Sequence, residues 1–191
     1  CIVDIGGGTT DIAVYTNGAL RHCAVVPVAG NQVTSDIAKI FRTPLTHAEQ
    51  IKVQFASARS SMVSREDSIE VPSVGGRPSR SMSRHTLAEV VEPRYQELFE
   101  LVLKQLQDSG LEDQIAAGIV LTGGTSSITG AVDIAEATFG MPVRVASPLP
   151  VKGLYEYVDQ PIYSTGIGLL HRYKKVESIL VTYIKNLFFN K

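Results

Sequence analysis

The 191-residue sequence has no tryptophan, only two cysteines and no excess of either charge: 18 lysines and arginines stand against 19 aspartates and glutamates, a formal net charge of -1. Each shortage excludes a class. Two cysteines do not make the disulfide framework of a small secreted domain, and their surroundings do not resemble a zinc site. Balanced charge argues against a nucleic-acid partner, which calls for basic residues concentrated on one surface. No apolar run reaches the roughly 18 residues that a membrane-crossing helix needs. The phosphate fingerprint GxxxxGK[ST] is absent, and no GxGxxG follows a strand. His22, His47, His85 and His171 have no partner at HxxxH or HxxE spacing and read as structural or surface residues.

What is present is ordinary for a folded chain. Hydrophobic residues make up 44% and charged ones 19%, which excludes disorder and supplies a core for one large domain or two small ones. Cys1 and Cys23 fall in apolar runs, so buried, reduced thiols of a cytosolic protein are expected. The opening Cys1–Ile5 reads as a strand already under way, with no initiator methionine and no leader. The expectation is a segment of a longer chain.

Along the chain, Cys1–Ile5, Asp11–Thr16 and Ala19–Val28 read as an antiparallel meander, with Asn17-Gly18 a two-residue hairpin signal. Val33, Ile37 and Ile40-Phe41 recur at helical spacing, with Thr34 or Ser35 as a cap. Pro44 breaks that helix, and a second carries Ala48, Ile51, Val53 and Phe55. Residues 58–85 are rich in Ser, Arg, Gly and Pro, with one strand-like run at Ser68–Val71 and a basic loop at Ser73–Arg84. Residues 86–109 carry a long apolar stripe, with Pro93 opening the longer helix and Gly110 ending it. Then come a strand at Ala117–Leu121, a helix at Ile128–Phe139, a strand at Val143–Val145 and a small-residue helix at Pro161–Leu170. Strand, glycine turn, helix, strand is the pattern of an α/β fold.

Two glycine turns carry the chemistry. In Asp4-Ile5-Gly6-Gly7-Gly8-Thr9-Thr10-Asp11, a glycine run between strands lets the backbone approach a ligand, and its successive N–H groups can form an anion nest. Thr9 and Thr10 add hydroxyls. Asp4, at a strand end, suits Mg²⁺ held through water, since that ion takes only one or two carboxylates. In Leu121-Thr122-Gly123-Gly124, a strand delivers its end to a glycine pair and then a helix start, a weaker signal on its own. The structural alternatives are a tight hairpin and an ordinary strand-to-helix turn.

Taken together, about 115 residues apart, the two turns and the meander resemble the actin/Hsp70/hexokinase ATPase superfamily. They match its phosphate-2 and adenosine loops. Ala48-Glu49-Gln50-Ile51-Lys52 and Ala29-Gly30-Asn31 add two further elements. Within the superfamily, DIGGGTTDIAVYTNGALRH, VAGNQVTSDIA, AEQIKV, IEVPSVGGRP, LAEVVEPRY, AAGIVLTGG and YSTGIGLLH resemble the second half of the FtsA family of bacterial cell-division proteins. They span residues 4 to 171. The fold class implied is α/β: an actin-like ATPase domain, with a ribonuclease H-like mixed sheet and flanking helices, plus an inserted outer α+β subdomain. Residues 1–30 and 116–171 would form the inner, nucleotide-binding subdomain and 31–115 the outer one; 172–191 would be a linker and a terminal amphipathic helix.

The resemblance further implies ATP and Mg²⁺ as cofactors. Gly6, Gly7, Gly8, Thr9 and Thr10 would hold the β- and γ-phosphates. Gly123 and Gly124 would hold the α-phosphate and adenosine, Asn31, Glu49 and Lys52 the sugar and base, and Asp4 the cation through water. The family's phosphate-1 loop has no counterpart in this sequence, so weak binding and negligible hydrolysis are expected of the chain by itself. The implied partners are the C-terminal tail of FtsZ, at Arg94, Glu97 and Arg80; further copies, in actin-like protofilaments; other division proteins; and the cytoplasmic face of the inner membrane at the septum. For the last, Ile179, Leu180, Tyr183, Ile184, Leu187 and Phe188 fall on one helical face, with Lys185 on the other. A helix over 176–189 would be about 20 Å long, too short to span the hydrocarbon core but suited to lie in an anionic leaflet. A sugar or acetate kinase, a chaperone-type ATPase and an MreB-type filament protein of the same superfamily are the competing readings.

Overall fold

The structure, a computed structural model, describes residues 1–149 and 158–173. The meander is present as β1 (Ile2–Ile5), β2 (Thr10–Thr16) and β3 (Ala19–Val26), antiparallel in that order. Asn17 (φ 53°) and Gly18 (φ 74°) both take left-handed conformations, as the favoured two-residue hairpin turn requires. Val3, Ile5, Ile12 and Val14 alternate onto the core face and are buried. β6 (Ile119–Thr122) joins β1 in parallel and β7 (Val143–Val145) joins β6 in parallel, so the sheet order is β3-β2-β1-β6-β7. The sheet therefore changes from antiparallel to parallel at β1. Asp4 and Thr122 stand side by side at the carboxyl ends of β1 and β6, which is where open α/β sheets receive ligands.

The helices pack on that sheet, with some boundaries shifted from expectation. α1 (Gly30–Phe41) begins before the expected cap at Thr34 or Ser35. The Gln32 side-chain oxygen accepts from the Ala29 amide at 3.0 Å, and the Thr34 hydroxyl, inside the helix, lies 3.0 Å from the Gly30 carbonyl. Pro44 stands at the start of α2 (Leu45–Phe55). β4 (Ser68–Val71) pairs with β5 (Arg80–Ser83), a strand whose polar sequence gives no alternating signal. α3 (Arg84–Ser109) runs unbroken through Pro93 rather than restarting there. Proline removes one helical hydrogen bond, but Leu87, Ala88 and Val91 before it and Tyr95, Leu98, Phe99, Val102 and Leu106 after it are all buried on one stripe. Gly110 (φ 66°) ends α3 as expected.

A 3-10 turn at Gly124–Ser127 follows β6, and α4 (Ala131–Phe139) starts only after Gly130 (φ 82°). The helix N-terminus expected directly after the second glycine pair is thus displaced from it. A 3-10 turn at Pro161–Tyr163 leads into helical residues 164–173, α5. Tyr95, Phe99 and Phe139 stack edge-to-face, with centroids 6.1 and 5.5 Å apart, and tie α3 to α4 within one hydrophobic cluster. Cys23 is exposed and Cys1 half-buried, which corrects the expectation of two buried thiols. Cys23 pairs with Ala13 on the face of β3 turned from the core, so its apolar neighbours do not bury it. The helix expected over 176–189, with Ile179, Leu180, Tyr183, Ile184, Lys185, Leu187 and Phe188, lies outside the described residues. Among the described residues no helix is long and apolar enough to cross a membrane.

Candidate functional site

A cleft of about 780 Å³ opens at the carboxyl ends of β1 and β6, and both glycine turns line it. Gly6 and Gly7 come from one turn, Gly123 and Gly124 from the other, with Asp4 and Asp11 at the base of the first. The turns are tied to each other: the Thr125 hydroxyl donates to the Gly6 carbonyl at 2.8 Å. The first two amides of α1 also serve the first turn, Gly30 N donating to Gly6 O at 3.2 Å and Asn31 N to Gly7 O at 2.7 Å. Those bonds satisfy donors that a helix N-terminus otherwise leaves without partners, and they fix where Asn31 meets the cleft. Glycine is required at two of these places. A Cβ on Gly123 (φ 85°) would overlap the Asp4 carboxylate and the Ile5 carbonyl, and one on Gly30 would press on the Thr125 hydroxyl.

Glu49 and Lys52, three residues apart on α2, form one wall. Lys52 Nζ lies 2.7 Å from Glu49 Oε2, 3.1 Å from the Gly30 carbonyl and 3.0 Å from the Thr34 hydroxyl. The Thr34 hydroxyl also reaches Glu49, and its one proton serves either that carboxylate or Gly30. Burial pushes the Glu49 pKa up, but the hydrogen bonds from Lys52 and Thr34 and the lysine charge outweigh it, so the carboxyl is held below its ordinary value. Tyr95 forms the floor. Its hydroxyl donates to the Thr125 carbonyl at 2.7 Å, and burial drives its pKa far above the ordinary phenol value.

The charges in the cleft do not balance. Glu49 and Lys52 neutralise each other. Asp4 and Asp11 face each other across β1 and β2, and among the described residues no basic side chain pairs with either. Like charges opposite one another on neighbouring strands destabilise a sheet. A polyphosphate added beside them needs a cation, and Mg²⁺, which takes one or two carboxylates and otherwise water and phosphate oxygens, fits this donor set. The described residues hold no cluster of three metal-ligating side chains, the arrangement of an all-protein metal cage.

The sequence points to eleven nucleotide and cation residues, ten in the two turns and on α1 and α2 and one on β1. Asp4, Gly6, Gly7, Asn31, Glu49, Lys52, Gly123 and Gly124 converge on the cleft. Gly8 and Thr9 lie outside its lining, and Thr9 donates to Asp11 at 3.3 Å. Thr10 is fully buried and gives its hydroxyl to the Val28 carbonyl at 2.8 Å. The pattern gave no warning of Tyr95, Thr125, Ile162 or Thr165. Tyr95 sits on the apolar stripe of α3 and reads as core; Ile162 and Thr165 stand in a segment read only as helix.

A second, smaller groove of about 410 Å³ lies between α1 and α3, lined by Asp36, Ile40, Pro93, Arg94 and Glu97 among others. Arg94 Nε bonds Asp36 at 2.7 Å and its guanidinium also bonds Glu97, interactions that raise its pKa further. Arg80 is not part of this groove; its guanidinium reaches the Phe41 carbonyl at the end of α1.

A family model described as "Cell division protein FtsA" matches residues 1–168. The chain is 61% identical over 170 residues to the cell division protein FtsA of Pseudomonas aeruginosa, covering 89% of this chain and 41% of that protein. It is 56% identical over 178 residues to that of Escherichia coli K12, covering 90% and 42%. It thus spans less than half the length of these relatives. Among solved structures, that of MreB5 of Spiroplasma citri bound to ADP superposes with a TM-score of 0.72 at 23% identity, covering 94% of this chain and 54% of the other. MamK bound to AMPPNP gives 0.59 at 18% identity, covering 86% and 53%. The fold is that of the actin-like ATPases.

Proposed function

The chain belongs to the FtsA family of cell division proteins, and from that premise we propose that it is the ATP-binding second half of an actin-like adaptor that tethers FtsZ filaments to the inner membrane at the septum. The observation that carries the nucleotide reading is the convergence of the two glycine turns, joined by the bond from Thr125 to Gly6, on one cleft. In this reading the first turn faces the phosphates, Gly123 and Gly124 the adenosine, and Asn31, Glu49 and Lys52 the sugar and base. Asp4 receives Mg²⁺ through water. The chemistry supplied by Mg²⁺ is neutralisation of phosphate charge; the chain's own residues bind, orient and exclude.

The subdomain reading follows the same lines. The five-stranded sheet is built from segments on either side of 31–115, which supports an inner subdomain of 1–30 and 116–171 and an outer one inserted between, with 172–191 as linker and membrane helix. The FtsZ tail docks on the outer subdomain at Arg94 and Glu97, where an incoming carboxylate competes with Asp36 for the guanidinium. Self-association follows the actin-like fold.

The test is equilibrium binding of ATP to the full-length protein. Gly7→Val puts a branched side chain against Asn31, whose amide oxygen lies 3.3 Å from a Cβ built at that position. Its expected effect is a loss of ATP affinity of at least about tenfold with the far-ultraviolet spectrum unchanged. Unchanged affinity would overturn the nucleotide reading.

A further inference from the structure

Resting on that reading of the cleft, we propose that Thr165 is a positioning residue, whose hydroxyl fixes the Asp4 carboxylate in the orientation from which it holds the hydrated Mg²⁺ of a bound nucleotide. Thr165 Oγ1 donates to Asp4 Oδ2 at 2.5 Å, across 161 positions of sequence. Among the described residues this is the one hydrogen bond that the Thr165 side chain makes. The hydroxyl at the start of α5 is therefore spent on the cleft and not on capping its own helix.

The segment that carries it is anchored to the end of β6. Gly123 N donates to the Pro161 carbonyl at 3.2 Å, and the Thr122 and Ser164 hydroxyls lie 2.6 Å apart. The Ile162 side chain lies against Gly124. Asp4 needs such a restraint. Asp11 faces it across the strand pair, and no basic side chain among the described residues holds it. Left alone, the carboxylate would rotate away from its like-charged neighbour. A hydroxyl donor on one oxygen fixes the rotation, while the Gly123 backbone crowds the other. Mg²⁺ demands near-ideal octahedral geometry, so a partner reached through water must be placed accurately. Groups that orient such partners typically change metal affinity 10- to 100-fold when removed.

The experiment measures ATP affinity of the full-length protein by calorimetry, in saturating Mg²⁺ and in EDTA. The quantity of interest is the dissociation constant in EDTA divided by that in Mg²⁺, the factor by which the cation tightens binding. Thr165→Val, which keeps the shape and removes the donor, is expected to lower that ratio about tenfold while leaving the EDTA value unchanged. Thr165→Ser is expected to retain the wild-type ratio. In an Asp4→Asn background, Thr165→Val should have no further effect. An unchanged ratio in Thr165→Val, an equal fall in both conditions, or a Thr165→Ser protein as impaired as the valine variant would each overturn the proposal. Wild-type protein that binds no ATP in either condition would overturn the nucleotide reading itself. That failure shows in the wild-type control, before any variant is compared.

Discussion

Asp4 and Asp11 stand opposite each other with no counter-charge among the described residues, an arrangement that costs stability and that a bound cation would offset. Asp11→Asn should raise stability by about 0.2–1 kcal/mol in urea unfolding without nucleotide. The same change should weaken Mg²⁺-dependent ATP binding. Tyr95 works the other way: Tyr95→Phe leaves the Thr125 carbonyl without its buried donor, and a loss of about 1–3 kcal/mol is expected in the same assay. Glu49 sets a pH dependence. Its folded pKa lies below the ordinary 4.5, so its contribution to stability is complete above that value and is lost as pH falls through the folded pKa. Glu49→Gln should therefore reduce the drop in unfolding midpoint between pH 6 and pH 3. Glu92, lowered by its bonds to Ser60 against the opposing effect of burial, keeps a drop of its own. At this scale the sequence was readable where backbone chemistry decides, at Gly6, Gly7, Gly123 and Gly124. It was unreadable where a side chain reaches across the fold, because no local spacing announces that Thr165 meets Asp4 or that Tyr95 meets Thr125.

The elements were legible in proportion to how much apolar surface each buries. β1, β2 and the two halves of α3 are written in buried alternation or a buried stripe. β5 is not, since Arg80, Ser81 and Ser83 carry no apolar face and only pairing with β4 makes them a strand. The shift of α4 is also local: Gly130 in a left-handed conformation starts the helix three residues beyond Ile128. Pro93 shows tertiary packing overriding a local signal. It stands inside α3 and lines the groove beside Arg94, where the helix lacks one amide donor. Pro93→Ala restores that donor in a helix already held on both sides, so a stability gain of up to about 3 kcal/mol is expected from the urea midpoint. A gain shows that α3 is straight enough there to form the missing bond; a loss shows that the proline ring packs in the groove more favourably than a hydrogen bond would.

For the whole molecule, it was the family resemblance and not the order of elements that implied a shared cleft for the two turns; the parallel β1–β6 pair, which puts their carboxyl ends side by side, is what brings them together. What no sheet topology addresses is the tail. Residues 174–191 hold four lysines and one glutamate, with Ile179, Leu180, Tyr183, Ile184, Leu187 and Phe188 at helical spacing. Apolar burial into a leaflet and attraction of lysines to anionic headgroups act together, with about 1 kcal/mol per lysine near the surface. Co-sedimentation of the full-length protein with vesicles of anionic phospholipid should therefore depend on this tail, and deletion of residues 176–191 should abolish it. Raising the salt concentration should weaken binding by the intact protein, because the lysine contribution is screened within a Debye length of about 8 Å at physiological ionic strength. Equal sedimentation with and without the tail would place the membrane contact elsewhere in the protein, and sedimentation by neither form would remove the membrane from its function.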